Sequence, residues 1–164
     1  MSLTPPLAAR LAFLFRVVQR EAEHLRATDA RVFAAAMDEA RAAALSRDID
    51  DAERVEAFVA RFSRLQDTLG DKLLPSLLAA LGEPVGAAID NLDRAERLGF
   101  LPSAERWLAA RRLRNRMVHE YVEDPCELAG SLAQGHGLVL MLLDAAAAMR
   151  AEGERRGWLH PPAG

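Results

Sequence analysis

One cysteine, one lysine and one tyrosine occur among 164 residues, and the first of these scarcities excludes most. Cys126 alone cannot close an intramolecular disulfide and has no second thiol at metal-ligand spacing, so a reducing, cytoplasmic setting is the natural expectation. Lys72 is the only lysine, leaving arginine for the rest of the 21 basic residues, a bias given no functional weight here. Aromatic residues make up 5% of the chain, and the 51% hydrophobic content is mostly Ala and Leu, so strands have little raw material and helices have much. No long apolar run is legible: LAFLF near the N-terminus, flanked by Arg10 and Arg16, is too short for a secretory core or a membrane span, so a soluble protein without a membrane partner is expected. Net charge is -3, which gives no global signal for nucleic acid and leaves any such function to local charge.

What remains is helical periodicity. Thr4, Pro5 and Pro6 start a long helix whose stripe Leu7, Leu11, Leu14, Val18 and Leu25 runs toward Ala27. Thr28 and Asp29 are candidate caps of a shorter second helix through Phe33, Met37 and Ala40, broken by SRDIDD at 46–51. The stripe Val55, Phe58, Val59, Phe62, Leu65, Leu69 and Leu73 then reaches Pro75, which should kink or end its helix. Gly82 and Pro84 stop the next stretch, Val85, Ile89, Leu92 and Ala95 form another helix ending at Gly99, and Ser103 caps the one after it, running to about Val122. Asp124, Pro125 and Glu127 stand at Ncap, N1 and N3 of a last long helix, weakened locally by Gly130, Gly135 and Gly137. With no internal repeat, linker or period-two alternation, the expectation is one all-α domain over 1–150, an antiparallel bundle of five or six helices, with 151–164 as a C-terminal tail.

The penultimate long helix contains RNRMVHEY at 114–121, a stretch that breaks its own pattern. At 100° per residue, Trp107, Ala110, Leu113, Met117, Val118 and Tyr121 share the apolar side, and Arg114 falls among them. A guanidinium there must be paired, reach to water, or sit at an interface, since an unpaired buried charge costs several kcal/mol. Arg112, Asn115, Arg116 and His119 lie on the polar side, with Asn115 one turn from His119 and able to orient it. A solvated histidine is the plain alternative for His119, and an amphipathic core-edge residue for Tyr121. Between Arg106 and His119 there are five arginines and no acid, a strip that attracts phosphate or serves as a solvated helix face.

RNRMVHEY fits the R-x4-H-x-Y motif of HEPN-domain ribonuclease toxins of the HepT kind, and the helices around it resemble that family over roughly 50–150. The resemblance implies an up-and-down four-helix core with additional helices, and a metal-independent endoribonuclease acting as a homodimer with two motifs facing across a cleft. It implies His119 as general base or acid, Arg114 as the group that stabilises charge on the phosphate, and Asn115 in support. Arg111, Arg112 and Arg116 would contribute weakly to RNA binding. It also implies a type VII-like pairing with a nucleotidyltransferase antitoxin of the MNT type that attaches AMP to Tyr121. ATP and Mg²⁺ would then belong to that partner, and this chain would need no cofactor or metal. Five residues at 100° apiece put Arg114 and His119 about 140° apart on a straight helix. The helix distorts near Val118, or Arg114 reaches around, or two chains pool their groups; the last is favoured. A lone subunit with Arg114 locked in an internal carboxylate contact would overturn the whole reading.

Other chemistries fit poorly. HEYVE at 119–123 begins like H-E-x-x-H but ends in Glu123, losing the second zinc ligand, and GHG at 135–137 lacks the residues of a phosphate loop. Asp50 and Asp51, like Glu123 and Asp124, stand at helix starts where capping accounts for them. His24 and His136 read as ordinary helix residues and His160 as part of the tail. The remaining rival is a non-catalytic helical subunit that serves a separate nucleotidyltransferase.

Overall fold

The computed structural model describes residues 2–119 and 124–161, with the side chains of residues 118 and 119 left aside. Its elements are α1 (Pro5–Val32), α2 (Glu39–Ala44), α3 (Ile49–Asp67), a π turn (Thr68–Leu73), α4 (Leu74–Ala80), α5 (Ala88–Arg97), α6 (Ala104–His119) and α7 (Pro125–Arg155). There is no strand among the described residues, as the Ala- and Leu-rich composition requires.

Cross-helix contacts give the topology directly. Between α1 and the α3 segment, Arg10 meets Ser76, Glu21 meets Thr68 and Thr28 meets Arg61, so partner numbers fall as the chain number rises. The same reversal holds for Arg111 with Asp71 and Arg114 with Asp67 across α6 and α3. It holds again for Gln19 with Arg150 and Asp29 with His136 across α1 and α7. With α6 also packed on α7, the four long helices form a closed up-and-down ring, while α2 lies against α7 and α5 against α6. Phe15, Phe58, Phe62, Leu11, Leu25, Leu65, Leu69 and Leu113 fill its centre at under 2% exposure. Each contributes about 1.5–3 kcal/mol of burial. α7 is long and apolar enough by length and composition to span a membrane, but here its apolar residues Leu132, Val139, Leu142 and Met149 face the ring.

Several boundaries differ from the sequence expectation. Thr28 and Asp29 cap nothing: α1 continues to Val32, with Thr28 buried against Arg61 and the Asp29 carboxylate turned to His136. The second helix starts instead at Asp38, whose side chain accepts from the Arg41 N–H at 2.8 Å. Pro75 does not end the helical segment, which continues as α4 to Ala80. The π turn shifts the hydrogen-bond register by one residue, the Leu74 N–H donating to the Leu69 carbonyl, and Pro75 enters the first turn of α4, where a missing N–H is tolerated. Val85 and Ile89 are exposed, leaving Leu92 and Ala95 as the buried face of α5. α7 runs through Gly130, Gly135 and Gly137 unbroken and past position 151 to Arg155, after which Trp158 and Leu159 pack against the core. Gly153 sits so close to Phe15 that a Cβ there would fall 2.5 Å from the ring, so this glycine permits the α1–α7 approach.

The ends that frame RNRMVHEY follow the sequence closely. Ser103 accepts from the Arg106 N–H at 3.1 Å to open α6, and Asp124 accepts from the Cys126 N–H at 2.9 Å to open α7.

Candidate functional site

The rotation of α6 is fixed by Trp107, Ala110, Leu113 and Met117, all buried. That rotation sets Arg114 at the seam between α6 and α3. Its Nη2 donates to Asp67 Oδ2 at 2.7 Å and its Nη1 to Asn115 Oδ1 at 3.0 Å, while Nε is buried with no partner among the described residues. Of the three fates open to a guanidinium on an apolar face, the structure selects pairing. Asp67 closes α3 just before the π turn, and Asp71 inside that turn lies 3.6 Å from Arg111. Two acids four apart therefore meet two arginines three apart across antiparallel helices, a short ladder of ion pairs.

This ladder qualifies the acid-free strip read from α6 alone. Arg111 and Arg114 are countered by acids supplied from α3 and the π turn. Arg112 points to solvent, and Arg116 is exposed, its Nη2 3.4 Å from Gln134 Oε1 on α7. Asn115 is exposed, with its side-chain oxygen engaged by Arg114. His119 is the last described residue of α6, but its side chain, like all of Tyr121, lies outside the described residues. The mutual placement of Arg114, His119 and Tyr121 side chains accordingly stays as the sequence left it.

Arg114 stands on the rim of a cleft of about 660 Å³ between α3, the π turn and α6. Val59, Ala60 and Met117 form its apolar floor, Arg64 and Lys72 add two further cations, and Glu56 and Asp67 are its acids. Cavities of roughly 300–1,000 Å³ are the size class that binds small molecules. A π turn beside it adds interest, since such turns are frequent at functional sites.

Glu21 on α1 borders the same rim. Burial pushes its carboxyl above the usual range, opposed by the Thr68 hydrogen bond and by the nearby cations Arg64 and Lys72. The Thr68 hydroxyl donates toward Glu21 Oε1 at 2.8 Å and also lies 2.9 Å from the Arg64 carbonyl, so its one proton is shared between two acceptors.

Residues that sequence reasoning missed share one property, a partner distant in the chain. Asp67 was an unremarkable helix acid until Arg114, 47 residues on, supplied its meaning. His136, read as an ordinary helix residue, has Nδ1 2.7 Å from Asp29 Oδ1, and its ring stacks on Phe33 with centroids 4.2 Å apart. Only Lys72 carried a signal available beforehand, as the sole lysine. No group of three or more metal-ligating side chains is found among the described residues.

No family model matches this chain, and no curated protein or solved structure does either.

Proposed function

We propose that this chain is a metal-independent endoribonuclease of the HEPN kind, a cytoplasmic toxin of a type VII-like pair, cutting RNA at a site shared by two copies. The observation that supports the reading is the seat of residues 114–119: the last turns of the penultimate helix of an all-helical bundle, with Arg114 lining a cleft that also holds Arg64 and Lys72. In this reading the His119 imidazole takes the proton of a ribose 2′-OH, and the freed oxygen attacks the adjacent phosphorus. Arg114 stabilises the charge of the pentacoordinate state. The P–O5′ bond breaks, the leaving oxygen gains a proton, and the products are a 2′,3′-cyclic phosphate and a 5′-hydroxyl. Asn115 supports the motif, and Arg111, Arg112 and Arg116 add diffuse attraction for the RNA. AMP transferred to Tyr121 by a partner nucleotidyltransferase, which brings its own ATP and Mg²⁺, would place bulk and negative charge beside Arg114 and silence the site.

The Arg114–Asp67 contact is the fact this reading must accommodate. Both side chains are partly exposed, 26% and 40%, and pairs in such settings are worth about 0.2–1 kcal/mol. A phosphate offering charge-assisted hydrogen bonds of about 1.5–3 kcal/mol can displace or share that contact. The same ion pair favours a second reading, in which Arg114 is structural and the bundle is a non-catalytic subunit for a nucleotidyltransferase.

RNA incubated with the purified chain in EDTA separates the two. The nuclease reading expects cyclic-phosphate ends that vanish in His119→Ala. Intact RNA, or cleavage that survives the substitution, overturns it.

A further inference from the structure

The cleft beside Arg114 is larger and more apolar than a phosphodiester alone requires, which raises the question of what its floor is for. Arg64, Thr68 and Lys72 follow one another at four-residue spacing, so the two cations stand on one side of the α3 segment with a hydroxyl between them. Both are exposed, and neither has an ion-pair partner among the described residues, unlike Arg111 and Arg114. The neighbouring acids are accounted for. Asp67 is engaged by Arg114, and Glu21 faces Thr68 from α1. Glu56 is the second acid that lines the cleft, beside Asp67. Val59, Ala60 and Met117 are the apolar side chains that line the same cleft, whose volume is about 660 Å³.

An anion with an apolar, flat body satisfies both halves of such a site. A bare polyanion has no use for the floor, and an apolar peptide gains nothing from three cations. We infer that the cleft seats one nucleotide of single-stranded RNA, its base on Val59, Ala60 and Met117 and its flanking phosphates on Arg64 and Lys72. The strand must be single because a base can enter a groove of this kind only when it is unstacked from its neighbours. The inference rests on the ribonuclease reading and deepens it: the groove would hold the nucleotide beside the scissile phosphate and so bias where the chain cuts.

The test uses the full-length His119→Ala chain, which on that reading binds without cutting, and a short fluorescein-labelled oligoadenylate followed by anisotropy across a salt series. Lys72→Ala and Arg64→Ala should each weaken binding several-fold, and each should lower the salt slope by about 1. Ala60 is exposed, so Ala60→Leu fills the groove without disturbing the core. It should weaken binding by about fivefold with the salt slope unchanged, because it removes space for the base and no charge. An abasic ribose-phosphate oligomer of equal length should bind the parent more weakly and be indifferent to Ala60→Leu.

Three results would overturn the inference: affinities indistinguishable from the parent in all three variants, an abasic oligomer that binds as well as oligoadenylate, or variants that alter self-association by sedimentation while RNA affinity stays fixed. The last would give the groove to a second copy of the chain. Failure here is distinguishable from failure of the nuclease reading. Cleavage by the His119-containing chain with an unaltered KM in Lys72→Ala removes the nucleotide seat alone. Cleft-dependent binding by a chain that never cuts removes the nuclease alone.

Discussion

At the scale of single residues, Glu21 and Asp51 show how one residue class acquires opposite behaviour from its surroundings. Asp51 lies in a two-point contact with Arg41, at 2.8 Å from both Nε and Nη2, and this hydrogen bonding holds its carboxyl below the ordinary range. Its stabilising contribution is present above the unfolded value of 3.8 and is lost as pH falls through the folded one. Glu21 has the reverse sign. Burial raises its folded pKa, so its contribution is complete below the ordinary 4.5 and disappears as pH climbs through the folded value, where a buried negative charge must be tolerated. Glu21→Gln, which keeps an acceptor for the Thr68 hydroxyl without the titration, is therefore expected, in urea denaturation from pH 4 to pH 8, to match the wild type at the low end and to exceed it by a steady margin once pH has climbed through the folded value. A constant difference across that range would show that Glu21 does not titrate there. None of this was legible in the sequence, where Glu21 is one acid of a surface-like run and Thr68 one polar residue in a stripe. Burial comes from the chain that folds over a residue, and local spacing does not report it.

Elements were read better than their ends. The α6 cap at Ser103 and the α7 cap at Asp124 were both evident because a cap is a local device whose donor and acceptor lie within three residues. The end of α1 was misplaced for the complementary reason: Thr28 and Asp29 look like caps, but their side chains are claimed by Arg61 and His136, which are far away in sequence. Pro75 does not stop its segment because the π turn before it shifts the hydrogen-bond register and leaves the proline in the first turn of α4. Glycines of α7 were read as weak points, whereas Gly153 marks a tight crossing. Gly153→Ala forces its methyl into the Phe15 ring, and overpacking of this sort costs about 1–3 kcal/mol. Thermal unfolding should show a lower midpoint for Gly153→Ala and a raised one for Gly130→Ala, whose Cβ would meet nothing within 4 Å and which loses the penalty of about 1 kcal/mol for glycine inside a helix. Equal effects at the two positions would contradict the close approach of α1 and α7.

For the whole molecule, the four-helix ring places α6 between α3 and α7, so the helix that carries Arg114 has a partner on each side and Arg114 is drawn toward α3. If two copies pool Arg114 and His119, inactive chains should rescue one another. Mixing Arg114→Ala with His119→Ala under conditions of subunit exchange is expected to restore about a quarter of the wild-type cleavage rate, because about half of randomly formed dimers are mixed and one of the two sites in each is whole. No recovery, with exchange verified, would place both groups in one chain.

By itself the sequence determined the helical class, the order of the long helices, two of their caps and the motif that prompts a nuclease reading, since all of these depend on periodicity and on neighbours within a turn or two. The tertiary structure alone decided that Arg114 meets Asp67, that Lys72 and Arg64 share a cleft with Met117, and that Glu21 is buried against Thr68. Those pairings span 47 residues or more where a hydrogen bond links them, and they exist only because antiparallel packing fixes which turn of one helix faces which turn of the next.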